Sequence, residues 1–112
     1  MNLREVWAVD FDGTICSNAW PKIGEPNAEL IEQIIEARRQ GIAVILWTCR
    51  EGKAQADAVL WCAARGLFFD AVNENVPERK AYYGEDSRKV SADRYIDDRA
   101  QLPPLPLGGD PL

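Results

Sequence analysis

Apolar and polar residues fall in blocks along this chain. Residues 5–9 are mostly apolar and stop abruptly at Asp10-Phe11-Asp12-Gly13-Thr14, which predicts a buried strand followed by a turn. Residues 15–26 carry Asn, Pro and Gly around Trp20 and predict a loop or small flap, too short to be a domain. Asn27 is a natural N-cap, and Leu30, Ile31, Ile34 and Ile35 then recur at helical spacing, with Arg38 and Arg39 in the last turn before Gly41. Residues 42–47 are apolar throughout and partly β-branched, as suits a strand buried on both faces of a parallel sheet, and they end at Thr48-Cys49-Arg50. Residues 53–65 place Ala54, Ala58, Val59, Cys62 and Ala63 on one helical stripe ahead of Gly66, and residues 67–72 predict a short third strand. A polar stretch over 73–89 leads to a fourth short strand at 94–96, which ends at Asp97-Asp98.

This alternation predicts an α/β fold: a small, doubly wound, Rossmann-like, mostly parallel sheet flanked by helices, with no cap domain. The domain is expected over residues 1–101, followed by a tail over 102–112 that holds four prolines and two glycines and has no periodicity. A chain of 112 residues has room for one such core and no separate lid.

Charge narrows the chemistry. Thirteen Lys and Arg against eighteen Asp and Glu leave −5, which disfavours a protein that coats nucleic acid or an anionic membrane. With no histidine in the chain, Ser-His and Cys-His schemes are excluded and carboxylates must carry any acid–base work. Cys16, Cys49 and Cys62 show no Cys-x-x-Cys spacing, so neither a disulfide framework nor a zinc site is indicated and reduced thiols are expected. Cys49 reads as a small filler, since no base is present to activate it. The longest apolar run, residues 58–64, is far short of a membrane span, and the acids of the first turn precede any signal-peptide core, so a cytoplasmic protein with no membrane partner is expected.

In open parallel sheets ligands bind at the carboxyl ends of the strands, where the connections reverse direction. Asp10 and Asp12, Thr48, and Asp97 with Asp98 all fall at predicted strand ends. Two unit charges about 4 Å apart at an effective dielectric near 20 interact by roughly 4 kcal/mol, so four carboxylates gathered there call for a cation. An all-oxygen donor set without His or paired Cys favours a hard ion, and Mg²⁺, which bridges carboxylates to phosphate, is the natural candidate. Arg50 is open to three readings: pairing with Glu51, capping a helix, or contacting a substrate. Trp7, Trp47 and Trp61 read as core, whereas Trp20, Tyr82 and Tyr83 fall in loops and are placed to stack on a ring.

The stretch Asp10-Phe-Asp-Gly-Thr14, Thr48 closing a hydrophobic strand, a lysine ahead of the last strand, and Tyr95-Ile-Asp-Asp98 resemble the four motifs of the haloacid dehalogenase superfamily of phosphotransferases, in order and over roughly residues 3 to 100. The resemblance implies a capless Mg²⁺-dependent phosphomonoester hydrolase. In it Asp10 would attack phosphorus to form an aspartyl phosphate, and Asp12 would protonate the leaving oxygen and then take a proton from water. Thr48 would bond a phosphoryl oxygen and Lys89, with Lys80 in reserve, would neutralise its charge. Asp10, the Asp12 carbonyl, Asp98 and its neighbour Asp97 would hold the metal. Gly13, Thr14, Thr48, Arg50 and Lys89 form the expected substrate-binding set. Arg50 is included because Thr48-Cys-Arg50-Glu51 and Ile96-Asp-Asp-Arg99 also look like the phosphatase domain of polynucleotide kinase-phosphatases. The expected substrate is a sugar phosphate, a nucleotide or a nucleic-acid 3′ phosphate, and the open site would be covered by a large substrate or by another subunit of a homo-oligomer. The alternatives are a non-catalytic receiver-like signalling domain and a domain that binds a phosphorylated ligand without turnover.

Overall fold

The structure is a computed structural model that describes residues 4–79 and 92–97. Lys80, Tyr82, Tyr83, Lys89, Asp98 and the 102–112 tail lie outside the described residues.

The first apolar block forms β1 (Val6–Val9), every residue of which is buried. It is one of the two inner strands of a four-stranded parallel sheet, paired on one side with β4 (Ala43–Leu46) and on the other with β6 (Arg94–Ile96). The outer strand beside β4 is β5 (Ala71–Val72), giving the order β5-β4-β1-β6. The chain therefore steps outward from β1 through β4 to β5 and returns past β1 to add β6. The reversal, where α/β sheets bind ligands, lies between β1 and β6.

Two helices make the outward steps. In α1 (Ala28–Arg39) the Asn27 side chain accepts from the Leu30 N–H at 3.3 Å, as its position predicts. Leu30, Ile31, Ile34 and Ala37 are its buried residues, and Gly41 at φ +95° ends it in the left-handed conformation that glycine adopts without strain. In α2 (Gly52–Ala63) only Ala58 and Cys62 are fully buried; Ala54 and Ala63 of the expected stripe are half-exposed. Both helices pack on the sheet face that carries Trp7, Val9, Val44, Leu46 and Ile96. The opposite face, carrying Val6, Ala8, Ala43 and Ile45, is covered by Val76 from the β5–β6 connection. Apolar residues on both faces explain why the central strands show unbroken apolar runs. Among the described residues, no helix is long and apolar enough to cross a membrane.

Two expectations need correction and a third is made specific. Residues 15–26, expected as a loop or small flap, form an antiparallel hairpin of β2 (Cys16–Ala19) and β3 (Lys22–Pro26), with a register shift between Cys16 and Asn18. Its outer residues are polar and one face only is anchored, through Ile15 and Cys16, so the apolar signal of a strand is missing. The third strand is two residues long and not six, because Leu67 turns into the core while Phe68 is exposed. Trp47 and Cys49 are not core: they lie past the end of β4, both exposed, although Trp7 is fully buried.

Candidate functional site

The end of β1 is held against β6: the Asp10 N–H donates to the Ile96 carbonyl at 2.9 Å. Because Val9 is in register with Ile96, the next residues along the two strands are Asp10 and Asp97, so two of the predicted acidic residues follow neighbouring strand ends at the reversal point. The chain then folds tightly. The Phe11 carbonyl accepts from the N–H groups of Thr14, Ile15 and Cys16 at 3.1, 3.0 and 3.3 Å, and Gly13 at φ +85° supplies the left-handed step. Phe11 is wholly buried and meets Trp61 edge to face at a centroid distance of 5.6 Å, which fixes the turn to α2. Thr14, also buried, directs its hydroxyl at Asp10 Oδ2 over a long 3.5 Å.

Thr48 emerges on the neighbouring strand end and is set by a residue that the sequence reading did not single out. The Thr48 N–H donates to Asn73 Oδ1 and Asn73 Nδ2 donates to the Thr48 carbonyl, both at 2.8 Å. Asn73 follows β5 at φ +55°, a conformation that Asn tolerates better than most residues. The Thr48 hydroxyl accepts from the Arg50 N–H at 3.0 Å, turning the chain into α2.

Arg50 departs most from expectation. Its side chain is 2% exposed, and its Nε and one terminal nitrogen donate to the two Asp12 carboxylate oxygens, each at 2.8 Å. The same terminal nitrogen donates to the Lys22 carbonyl on the hairpin at 3.0 Å. The guanidinium carbon is 5.2 Å from the Phe11 ring centroid and 4.8 Å from that of Trp20, within cation–π range of both. Bonding to Asp12 outweighs burial and raises the proton affinity of this arginine above its ordinary value. Of the three readings of Arg50, pairing holds, and the partner is Asp12 and not Glu51. Buried as it is, the side chain also lines the adjoining cleft.

Beside this pair a cleft of about 490 Å³ opens between the hairpin, at Lys22 and Ile23, and the first turns of α2, at Lys53 and Ala54. Lys22 and Lys53 are basic side chains that the sequence reading passed over; Lys53 pairs with Asp57 at 2.9 Å. The buried thiols are poor nucleophiles: desolvation pushes Cys16 up and Cys62 up to about 12. Among the described residues no three of His, Cys, Asp and Glu come together as a metal-holding group. Asp10 and Asp97 adjoin, while the carboxylate of Asp12 is engaged by Arg50.

A parallel sheet with helices on its face and paired acids where its strand order reverses makes this a Rossmann-like α/β protein. It is similar to a solved structure described as that of a conserved protein from Bacteroides thetaiotaomicron, with 40% sequence identity and a TM-score of 0.76. That match covers 97% of this chain and 83% of the other, and the chain belongs to the same family as that protein. No family model and no curated protein matches the chain.

Proposed function

We propose that the chain is a Mg²⁺-dependent phosphomonoester hydrolase of the haloacid dehalogenase type, acting through Asp10. The observation that carries this reading is the placement of Asp10, Asp97 and Thr48 on three adjacent parallel strand ends, around the point where the strand order reverses. An Asp10 oxygen attacks phosphorus and the bond to the leaving alcohol breaks, its oxygen taking a proton from Asp12. Water then attacks the aspartyl phosphate, gives its proton to Asp12, and releases inorganic phosphate with Asp10 restored. Thr48, stapled at its backbone by Asn73, is positioned to bond a phosphoryl oxygen.

The donor set suits a hard cation. Asp10 and Asp97 offer only oxygens on neighbouring strand ends, and the Asp12 main-chain carbonyl adds a third while its carboxylate is held by Arg50. Once bound, Mg²⁺ supplies charge neutralisation to the phosphoryl group. The lysine role assigned to Lys89, or Lys80, and the ligand role of Asp98 belong to residues outside those described. A small phosphorylated substrate is the class that this site fits.

The test is release of p-nitrophenol from its phosphate ester, with Mg²⁺ and with EDTA. The wild type is expected to turn over only with the metal, and Asp10→Asn is expected to lose turnover while its circular dichroism is unchanged. A folded protein that hydrolyses nothing but keeps a long-lived phosphate after acetyl phosphate treatment overturns the hydrolase in favour of the receiver reading.

A further inference from the structure

Among the described residues, Arg50 is the one buried guanidinium that touches both the acid–base carboxylate and the hairpin, and the hydrolase scheme makes no use of it. Its contacts run to three separate parts of the chain: both oxygens of Asp12 in the turn after β1, the Lys22 carbonyl at the start of β3, and the ring of Trp20 at the hairpin tip. From the other side it is bounded by the buried Phe11 ring. Its own backbone is fixed as well, the N–H on the Thr48 hydroxyl and the carbonyl accepting from Gln55 Nε2 at 3.0 Å. A planar fork held at both ends in this way has one orientation available, and lysine has no equivalent of it.

We propose that Arg50 is a positioning residue that couples the hairpin to Asp12, so that one side chain both aims the acid–base carboxylate and holds β2–β3 down beside the cleft. The proposal rests on the hydrolase reading for the role of Asp12. A bidentate grip uses one lone pair on each carboxylate oxygen and leaves a second on each, one of which carries the proton that Asp12 gives to the leaving oxygen and takes back from water. Arg50 therefore fixes the direction of Asp12 without occupying it. Because the same nitrogen bonds Asp12 and Lys22, lifting the hairpin strips a contact from the guanidinium and loosens Asp12 at the same moment. The exposed face of Trp20, 58% accessible, makes the tip the part of this arrangement that a substrate reaches first.

The experiment compares full-length wild type with Arg50→Lys and Trp20→Ala by two readouts: kcat and KM for p-nitrophenyl phosphate with Mg²⁺, and hydrogen exchange of the amides of residues 16–26 against those of β1. Misplacing a reacting group by about 1 Å costs on the order of a hundredfold in rate, so Arg50→Lys is expected to lower kcat by about that factor with KM within about twofold. Hairpin amides are expected to exchange faster in both variants while β1 amides do not change, which separates a loosened hairpin from a destabilised fold. Free guanidinium ion is expected to restore part of kcat to Arg50→Ala, an effect that a purely structural arginine would not give. A rise in KM at unchanged kcat in Arg50→Lys overturns the proposal, because it makes Arg50 a substrate contact; unchanged hairpin exchange overturns it as well. Should the wild type not turn over, the hydrolase reading falls by itself. Faster hairpin exchange in Arg50→Lys then still upholds the coupling, and unchanged exchange overturns it.

Discussion

Asn73 shows how much of a site can depend on a residue with no chemistry of its own. Its amide closes a ring of two hydrogen bonds with the Thr48 backbone, across 25 residues of sequence, from a positive-φ position. Asn73→Ala removes both bonds and leaves a Cβ-bearing residue in the left-handed region without the local bonding that Asn offers there. We expect a loss of about 1–3 kcal/mol of stability in urea unfolding, with a fall in turnover from misplacement of Thr48. Asn73→Gly, which relieves the backbone but not the lost bonds, should recover part of the stability and none of the placement. Sequence reading found Asp10, Asp97 and Thr48 because each follows an apolar block that stops. It could not find Asn73, whose signal is only that of a turn residue, nor the partner of Arg50, because Asp12 lies 38 positions away and nothing in local spacing encodes that pairing.

At the scale of elements, the least legible piece was the hairpin. α1 was plain because cap, stripe and stop agreed with one another, and that agreement across levels is what makes a segment readable. The hairpin has no such redundancy: β2 buries only Cys16, and β3 buries nothing fully. What holds it is backbone proximity. A Cβ on Gly24 would lie 2.2 Å from both the carbonyl oxygen and the hydroxyl of Ser17, and that same hydroxyl accepts from the Glu25 N–H at 2.8 Å. The strands approach this closely beside the register shift, as bulged pairs do where glycine is available. Gly24→Ala is therefore expected to cost about 1–3 kcal/mol and to abolish amide protection in the hairpin while leaving that of the four-stranded sheet intact. Two-dimensional amide spectra with exchange into D₂O distinguish that local loss from global unfolding.

Across the whole molecule, the aspartates that flank the strands among the described residues divide by sheet edge. At the edge where the strands begin, Asp70 and Asp93 do structural work of one kind. Each precedes a strand, donates its N–H to a carbonyl of the neighbouring strand (Val44 and Val6), and accepts that same residue's N–H on its carboxylate at 2.7 Å. Arg38 braces Asp70 and Arg79 braces Asp93. Burial pulls the Asp70 carboxyl upward, but bonding to Arg38 and to the Val44 N–H, with Arg4 nearby, outweighs it and holds the group below the usual aspartate range. A carboxyl depressed in the folded state contributes stability that is fully present above its unfolded value, about 3.9, and is lost as the pH falls through the lower folded value. Asp70→Asn should therefore destabilise the protein by about 1–3 kcal/mol at neutral pH, and the gap from wild type should close in unfolding curves measured below about pH 4. Sequence reading recovered the α/β class. It had no means of separating these bracing aspartates from the ones at the opposite edge, since both kinds flank short apolar runs.

The position of β1 bears also on how the molecule is made. β1 leaves the ribosome before either of its partners, and one of its two flanks is closed only by residues some ninety positions later, when Asp93 bonds Val6 and Ile96 lines up with Val9. Chains are synthesised at roughly 5–20 residues per second, so for several seconds Asp10 exists with β4 beside it and bare solvent where β6 belongs. The turn that carries Asp12 can be in place throughout that interval, but Thr48 waits for Asn73 and the second carboxylate for residue 97. A nascent or prematurely ended chain therefore carries Asp10 without its neighbour on β6, and the complete acid pair marks a translation product that has reached residue 97.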